Sequence, residues 1–252
     1  MTTADRSRWF RTFLPRPAAS VRLFCFPHAG GAASAFRDWG AGLPASVEVT
    51  AVQYPGRQDR FDEDAAPDMA TLAGQITEAI RPLLDRPVAF FGHSLGGTVA
   101  YEVARALPGE LRPALVRFFA SARKAPAACR PLGPEYRGDE GLLRYLRALG
   151  GAGAALLADP ELLEVALPVL RGDFRLADTY RHRPGPPLLC PVTAITGADD
   201  AFNTPDHAKE WARYTTGGFD LNVLPGGHFY TETATAELLA LLAGRLAPAA
   251  AR

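Results

Sequence analysis

A serine hydroxyl stands between two glycines in Gly92-His93-Ser94-Leu95-Gly96, where an apolar run from Val88 ends and a helix-forming run begins. The pentapeptide matches G-x-S-x-G, and a tight strand-to-helix turn would present Ser94 as a nucleophile. Serine is weakly nucleophilic and needs a base within hydrogen-bond reach. The chain has five histidines. His93 adjoins Ser94, but the sharp turn should throw the two side chains apart, so it reads as structural. His182 lies in the proline-rich RHRPGPP, and His207 begins a surface-looking helix. His28 follows the first strand and reads as hydrogen-bonded support for its loop. His228, in the glycine-rich LPGGHFY past the last strand, is the candidate base.

The base needs an acid to fix its tautomer and stabilise its imidazolium. Two carboxylates compete in Gly197-Ala198-Asp199-Asp200, at another strand end. Adjacent side chains diverge, so one is expected to face the imidazole while the other forms or caps the turn. An oxyanion needs two N–H donors. Leu95, at the start of the helix, supplies one. The second should come from the loop after the first core strand, Phe26-Pro27-His28-Ala29-Gly30-Gly31, where small residues admit close backbone approach. The amides of Ala29 and Leu95 are the candidate oxyanion donors.

These groups require elements that end together. Strands are expected at 20–27, 47–55, 88–92, 114–122, 190–197 and 219–227. Helices are expected at 33–43, 69–84, 96–107, about 205–214 and about 233–246. Alternating strands and helices predict an α/β fold with a mostly parallel sheet covered on both faces. The chain order Ser, Asp, His is that of the α/β-hydrolase fold. A single domain over 1–252 is expected, with a helical insertion at about 125–188 that reads either as a lid over the strand ends or as an extra packing layer. Within it, Asp159 should cap a helix with Pro160 at its first position. Pro168 should kink that helix or start a new one. The apolar faces of 142–149 and 162–176 are expected to line an acyl chamber. Arg171, Arg175, Arg181 and Arg183 form either a solvated face or a docking patch for an acidic partner. The final APAAAR reads as a frayed tail.

Lys and Arg together number 27 and so do Asp and Glu, giving a net charge of +0 and no overall electrostatic reason to expect nucleic acid. The N-terminus lacks the apolar core of a secretory signal, and no run approaches a membrane span. A cytoplasmic location is expected. Cys25, Cys129 and Cys190 are widely spaced and suggest neither a zinc site nor disulfides. Cys25 and Cys190 read as buried inert thiols.

Together, FCFPHAGG, VQYPGRQDR, GHSLGG, LLRYLRALGG, DFRLADTYRHRPGPPL, GADD and PGGHFY resemble the type II thioesterases of polyketide and nonribosomal peptide biosynthesis, almost end to end. The elbow alone is unspecific; the PHAGG loop and DFRLADTY are far more so. The resemblance implies that Ala29 supplies an oxyanion amide and that the acid stands three residues after the glycine, at Asp200. Family members often carry Asp directly after that glycine, whereas this chain has Ala198. It further implies hydrolysis of aberrant or stalled acyl groups from the phosphopantetheine arm of carrier proteins, by a protein separate from the synthase. No metal or cofactor is expected, the phosphopantetheine belonging to the substrate protein, and a monomer is expected. The rival readings are a carboxylesterase on small free esters and a non-catalytic hydrolase-fold binding module.

Overall fold

The structure, a computed structural model, describes residues 8–151, 157 and 159–250. Among them a seven-stranded sheet has the order β1-β3-β2-β4-β5-β6-β7. The strands are β1 (Phe10–Arg11), β2 (Val21–Phe26), β3 (Val47–Val52), β4 (Val88–His93), β5 (Leu115–Ser121), β6 (Val192–Gly197) and β7 (Phe219–Leu224). Only β1 runs antiparallel to its neighbour, β3; the other pairings are parallel.

Apolar runs such as VRLFCF arise because both sheet faces are covered. In β2, Phe24 and Phe26 join one core cluster while Val21, Leu23 and Cys25 join another. The same two-residue alternation splits Phe90 from Phe91 in β4 and Phe118 from Phe119 in β5. The first face is closed by α2 (Met69–Ile80) and α3 (Leu95–Ala106), through Ile76, Ile80, Val99 and Val103. The second is closed by α1 (Trp39–Gly42) and α8 (Thr235–Ala250), through Trp39, Leu238 and Leu242.

The stretch 125–188 inserts between β5 and β6 and carries α4 (Gly138–Leu149) and α5 (Pro160–Thr179). Leu142 and Leu146 of α4 meet Leu170 of α5 in a small cluster of their own. Asp159 caps α5, accepting from the amides of Glu161 and Leu162, with Pro160 in the first turn. Pro168 starts no new helix; α5 runs through it to Thr179. A proline removes a single ladder bond, and the burial of Leu170 and Leu176 in the turns that follow compensates.

Other boundaries also differ from the sequence reading. The segment 33–43 forms a short 3-10 turn, Ala33–Phe36, and a separate one-turn helix, Trp39–Gly42. The last helix starts at Thr235, after a short helix α7 (Tyr230–Thr233), and continues to Ala250 through most of the expected tail. The helix expected at 205–214 is α6 (Pro205–Lys209) followed by a 3-10 turn to Tyr214.

Candidate active site

Four loops leave the carboxyl ends of β2, β4, β6 and β7 on one edge of the sheet. Ser94 sits at the β4–α3 junction with φ 53° and ψ −121°. That conformation is costly for a residue with a side chain, on the order of 1–3 kcal/mol. It persists because the surroundings determine it: the Ser94 amide donates to the Ser121 carbonyl at 2.8 Å and the Gly97 amide donates to the Ser94 carbonyl at 2.9 Å. A methyl group at Gly96 would lie 2.1 Å from the Phe26 carbonyl oxygen, so only glycine lets α3 begin against the end of β2.

Ser94 Oγ lies 3.0 Å from His228 Nε2, and His228 Nδ1 lies 2.8 Å from Asp200 Oδ2. The structure thus brings together three side chains from three separate loops. His228 reaches Ser94 from the β7 loop because that loop lies across the strand ends. Tyr230 just beyond it hydrogen-bonds Ser121 at the end of β5. The imidazole is buried, as is Asp200. The other oxygen of Asp200 accepts from the Phe202 and Asn203 amides at 2.9 and 3.0 Å. Burial pushes the Asp200 carboxyl up, but the hydrogen bond and charge of His228 and those two amides outweigh it and hold it below its ordinary value. Asp199 is exposed, its amide donating to the Gly226 carbonyl. Of the two competing carboxylates, Asp200 is the one against the imidazole.

Ala29 and Leu95 line the same cavity as Ser94 and His228. Leu95 is the first residue of α3, so its amide has no carbonyl one turn below to bond. The loop holding Ala29 is braced by the segment after β3. Gln53 Oε1 accepts from the Ala33 amide at 2.8 Å, the Tyr54 hydroxyl donates to the Pro27 carbonyl at 3.4 Å, and Arg57 donates to the Gly31 carbonyl at 2.9 Å. Sequence reasoning gave Gln53, Tyr54 and Arg57 no chemical role. The signal was their membership of VQYPGRQDR, quoted only as a family string.

The remaining histidines are packed differently. His28 supports its loop through its ring, edge-on to Phe229 at 5.1 Å and to His93 at 5.9 Å, in place of the expected hydrogen bond. His93 is buried and bonded through Nδ1 to Ser121 Oγ at 2.8 Å. His207 closes a capping box with Thr204, and the His182 ring packs on Tyr101 and Tyr214. Burial, with the nearby His228, pushes His28 down to about 4. Burial and the neighbouring His228 and His28 lower His93 well below its ordinary value. Both are therefore neutral in the folded protein and regain a value of about 6.5 on unfolding. Below that pH the unfolded chain binds more protons. The stability they confer is complete above about pH 6.5 and drains away as pH falls toward 4, by up to about 1.4 kcal/mol per pH unit for each ring. Thermal unfolding should show a falling midpoint between pH 7 and 5, and His93→Gln should flatten that dependence.

The cavity over Ser94 has a volume of about 270 Å³. Its walls from the insertion include Tyr136, Tyr145, Leu146, Leu149, Phe174 and Cys129. Tyr145 packs edge-to-face on Tyr136, Phe174 and Phe202 at 5.0 to 5.4 Å. A second cavity, of about 350 Å³, lies beside Glu102, Arg105 and Arg112 and includes none of the candidate residues. Among the described residues no cluster of side chains suits a metal ion, and no helix is long and apolar enough to cross a membrane. Of the four arginines singled out in the sequence, Arg171 pairs with Asp139 of α4 and Arg181 donates to the Asp178 and Tyr180 carbonyls. Arg175 and Arg183 are exposed.

The family model described as a thioesterase domain matches residues 21–244. The chain belongs to the thioesterase family. A thioesterase relative from Streptomyces griseus, named as a probable cadicidin biosynthesis thioesterase, is 45% identical over 91% of this chain and 64% of its own length. Thioesterase PikA5 of Streptomyces venezuelae is 41% identical over 90% of this chain and 81% of that one. This chain therefore spans just under two thirds of the first relative and about four fifths of the second. Among solved structures, the type II thioesterase BorB from the borrelidin biosynthetic cluster superposes with a TM-score of 0.85 at 42% identity. That match covers 94% of this chain and 97% of BorB. The sheet and its flanking helices are those of an α/β-hydrolase-fold thioesterase.

Proposed function

We propose that this protein is a type II thioesterase that hydrolyses aberrant or stalled acyl groups from the phosphopantetheine arm of carrier proteins in polyketide or nonribosomal peptide synthesis. The carrying observation is the continuous relay from Ser94 through His228 to Asp200, with Ser94 and His228 lining a cavity whose walls mix leucine and aromatic side chains with Arg123, Lys124 and Arg130, in a chain of the thioesterase family.

Ser94 Oγ attacks the thioester carbonyl while His228 Nε2 takes its proton. Asp200 holds Nδ1–H and stabilises the imidazolium that forms. The carbonyl oxygen becomes an oxyanion between the Ala29 and Leu95 amides, an interaction for which one donor is typically worth about 2.7–4 kcal/mol. The tetrahedral intermediate collapses with loss of the pantetheine sulfur, which takes the proton from His228. Water, deprotonated by His228, then attacks the acyl-serine; the oxyanion forms again, and Ser94 leaves with the proton. No step calls on a metal or cofactor. The insertion carrying α4 and α5 acts as the lid of a single domain, with its aromatic and leucine side chains around the acyl group.

The leaving group separates this reading from that of a carboxylesterase. A thiol with a pKa near the ordinary value of about 8.5 leaves without full protonation, whereas an alkoxide does not. With a panel of acyl-carrier thioesters of varied chain length and matched oxyesters of free alcohols, kcat/KM should be at least about 10²-fold higher for the carrier-bound thioesters. Equal or better hydrolysis of the oxyesters would favour the carboxylesterase.

A further inference from the structure

Asp173 lies on α5, in DFRLADTY, and is 1% exposed. One carboxylate oxygen accepts from the Gly30 amide at 2.7 Å and from Arg57 Nη1 at 2.8 Å; the other accepts from Arg57 Nη2 at 2.7 Å. Arg57 is also buried. It donates through Nη1 to the Gly31 carbonyl at 2.9 Å and through Nε to the Pro55 carbonyl at 3.3 Å. A buried ion pair is often no more stabilising than apolar residues of the same volume. Its presence here is explained by its targets. The carboxylate grips the amide of Gly30, in the peptide that follows Ala29, and the guanidinium grips the carbonyl of Gly31.

We infer that Asp173, acting with Arg57, is a positioning residue that aims the Ala29 amide at the oxyanion. The inference rests on the reading of Ala29 as an oxyanion donor. The loop would otherwise be loosely determined, since Gly30 has φ +77° and is followed by a second glycine. α5 closes on the same point sterically: a methyl at Gly30 would lie 2.6 Å from Leu170 Cδ2. Tyr54 and Gln53 hold the loop's two ends, at Pro27 and Ala33, and the Asp173–Arg57 pair holds its middle. The turn of α5 around Asp173 is thus part of the oxyanion hole's support and stays docked through turnover. α4 is joined to it by the exposed Arg171–Asp139 pair and by the Leu142, Leu146 and Leu170 cluster.

The test compares wild type with Asp173→Asn, which keeps the volume, and with Arg57→Leu/Asp173→Leu, which leaves no unpaired charge. Rates are expressed per active site titrated with a fluorophosphonate. The probe is a trifluoromethyl ketone that replaces the thioester carbonyl of an acyl-pantetheine. Ser94 Oγ adds to its carbonyl carbon, the proton passes to His228, and the carbonyl π pair becomes an oxyanion. A matched acyl-pantetheine amide, which forms no oxyanion, is the control. Both variants should lose about 10- to 100-fold in kcat with KM within about twofold, short of the 10²–10³ typical for outright removal of a donor. Affinity for the ketone should fall by the same factor, and affinity for the amide should not change. A folded variant with wild-type kcat and ketone affinity overturns the inference. If neither variant folds, amide exchange of wild type decides it. Exchange at Gly30 as slow as in β4 supports the clamp, and exchange at the rate of an open loop overturns it. Absence of carrier-thioester turnover by wild type counts against the proposed function instead, and the ketone comparison still reads the clamp.

Discussion

Ser94→Ala should lower kcat by a factor on the order of 10⁶, with the fold and substrate affinity preserved. The loss is large because the hydroxyl is the only atom that forms the acyl-enzyme bond. His228 could still activate a water in its place, but that water would not be held at the elbow's geometry. What remains should be the roughly 10³–10⁴-fold contributed by the oxyanion donors and by binding. Single-turnover measurement with a radiolabelled acyl-carrier, alongside unfolding curves, checks both halves. Alanine fits the site sterically, and the strained backbone at φ 53° is imposed by neighbours that the substitution leaves in place. A variant retaining most of the activity would remove Ser94 from the mechanism.

Asp200→Asn should cost about 10⁴ in kcat, while Asp199→Asn should cost almost nothing. The reason lies in the donors around residue 200. Two backbone amides, of Phe202 and Asn203, point at one carboxylate oxygen, so an asparagine must place its own oxygen there. Its NH₂ group then faces His228 Nδ1, which becomes an acceptor. The imidazole proton moves to Nε2 and points at Ser94, so the base presents a donor where an acceptor is needed. Asp199 is exposed and bonded only through its backbone in the turn. Pre-steady-state kinetics of the two variants separates these roles, and an unimpaired Asp200→Asn would leave the acid unassigned.

The strands of the central sheet were legible because each is a short run rich in β-branched and apolar residues between turn residues, and the elbow because Gly92 and Gly96 bracket a lone hydroxyl. β1 was not, since two residues carry no periodicity and it exists only by pairing with β3. The break between 33–36 and 39–42 escaped notice because apolar spacing there also fits one longer helix. Continuation of α5 through Pro168 is decided by tertiary packing that overrides a local penalty. Ser94, His228 and the Asp199/Asp200 pair could be named from residue type and position at strand ends. Residue type alone left the two aspartates open; the spacing of the family resemblance pointed to Asp200, and the amides of Phe202 and Asn203 hold that carboxylate against the imidazole. The Arg57–Asp173 pair spans 116 residues and joins two motifs that have no chemical meaning apart.

The three thiols of this chain differ sharply in access. Cys25 and Cys190 are buried, and burial pushes the first well above its ordinary value and the second up to about 12. Cys129 is half-buried, with its side chain on the wall of the cavity that holds Ser94. The native chain therefore offers one addressable attachment point for a maleimide dye or spin label, without removal of the other two cysteines. A reporter there would sit on the wall of the Ser94 cavity beside Tyr145 and Leu146 of α4, so occupancy of that cavity and the proposed lid role of α4 become open to spectroscopic test in otherwise unaltered protein.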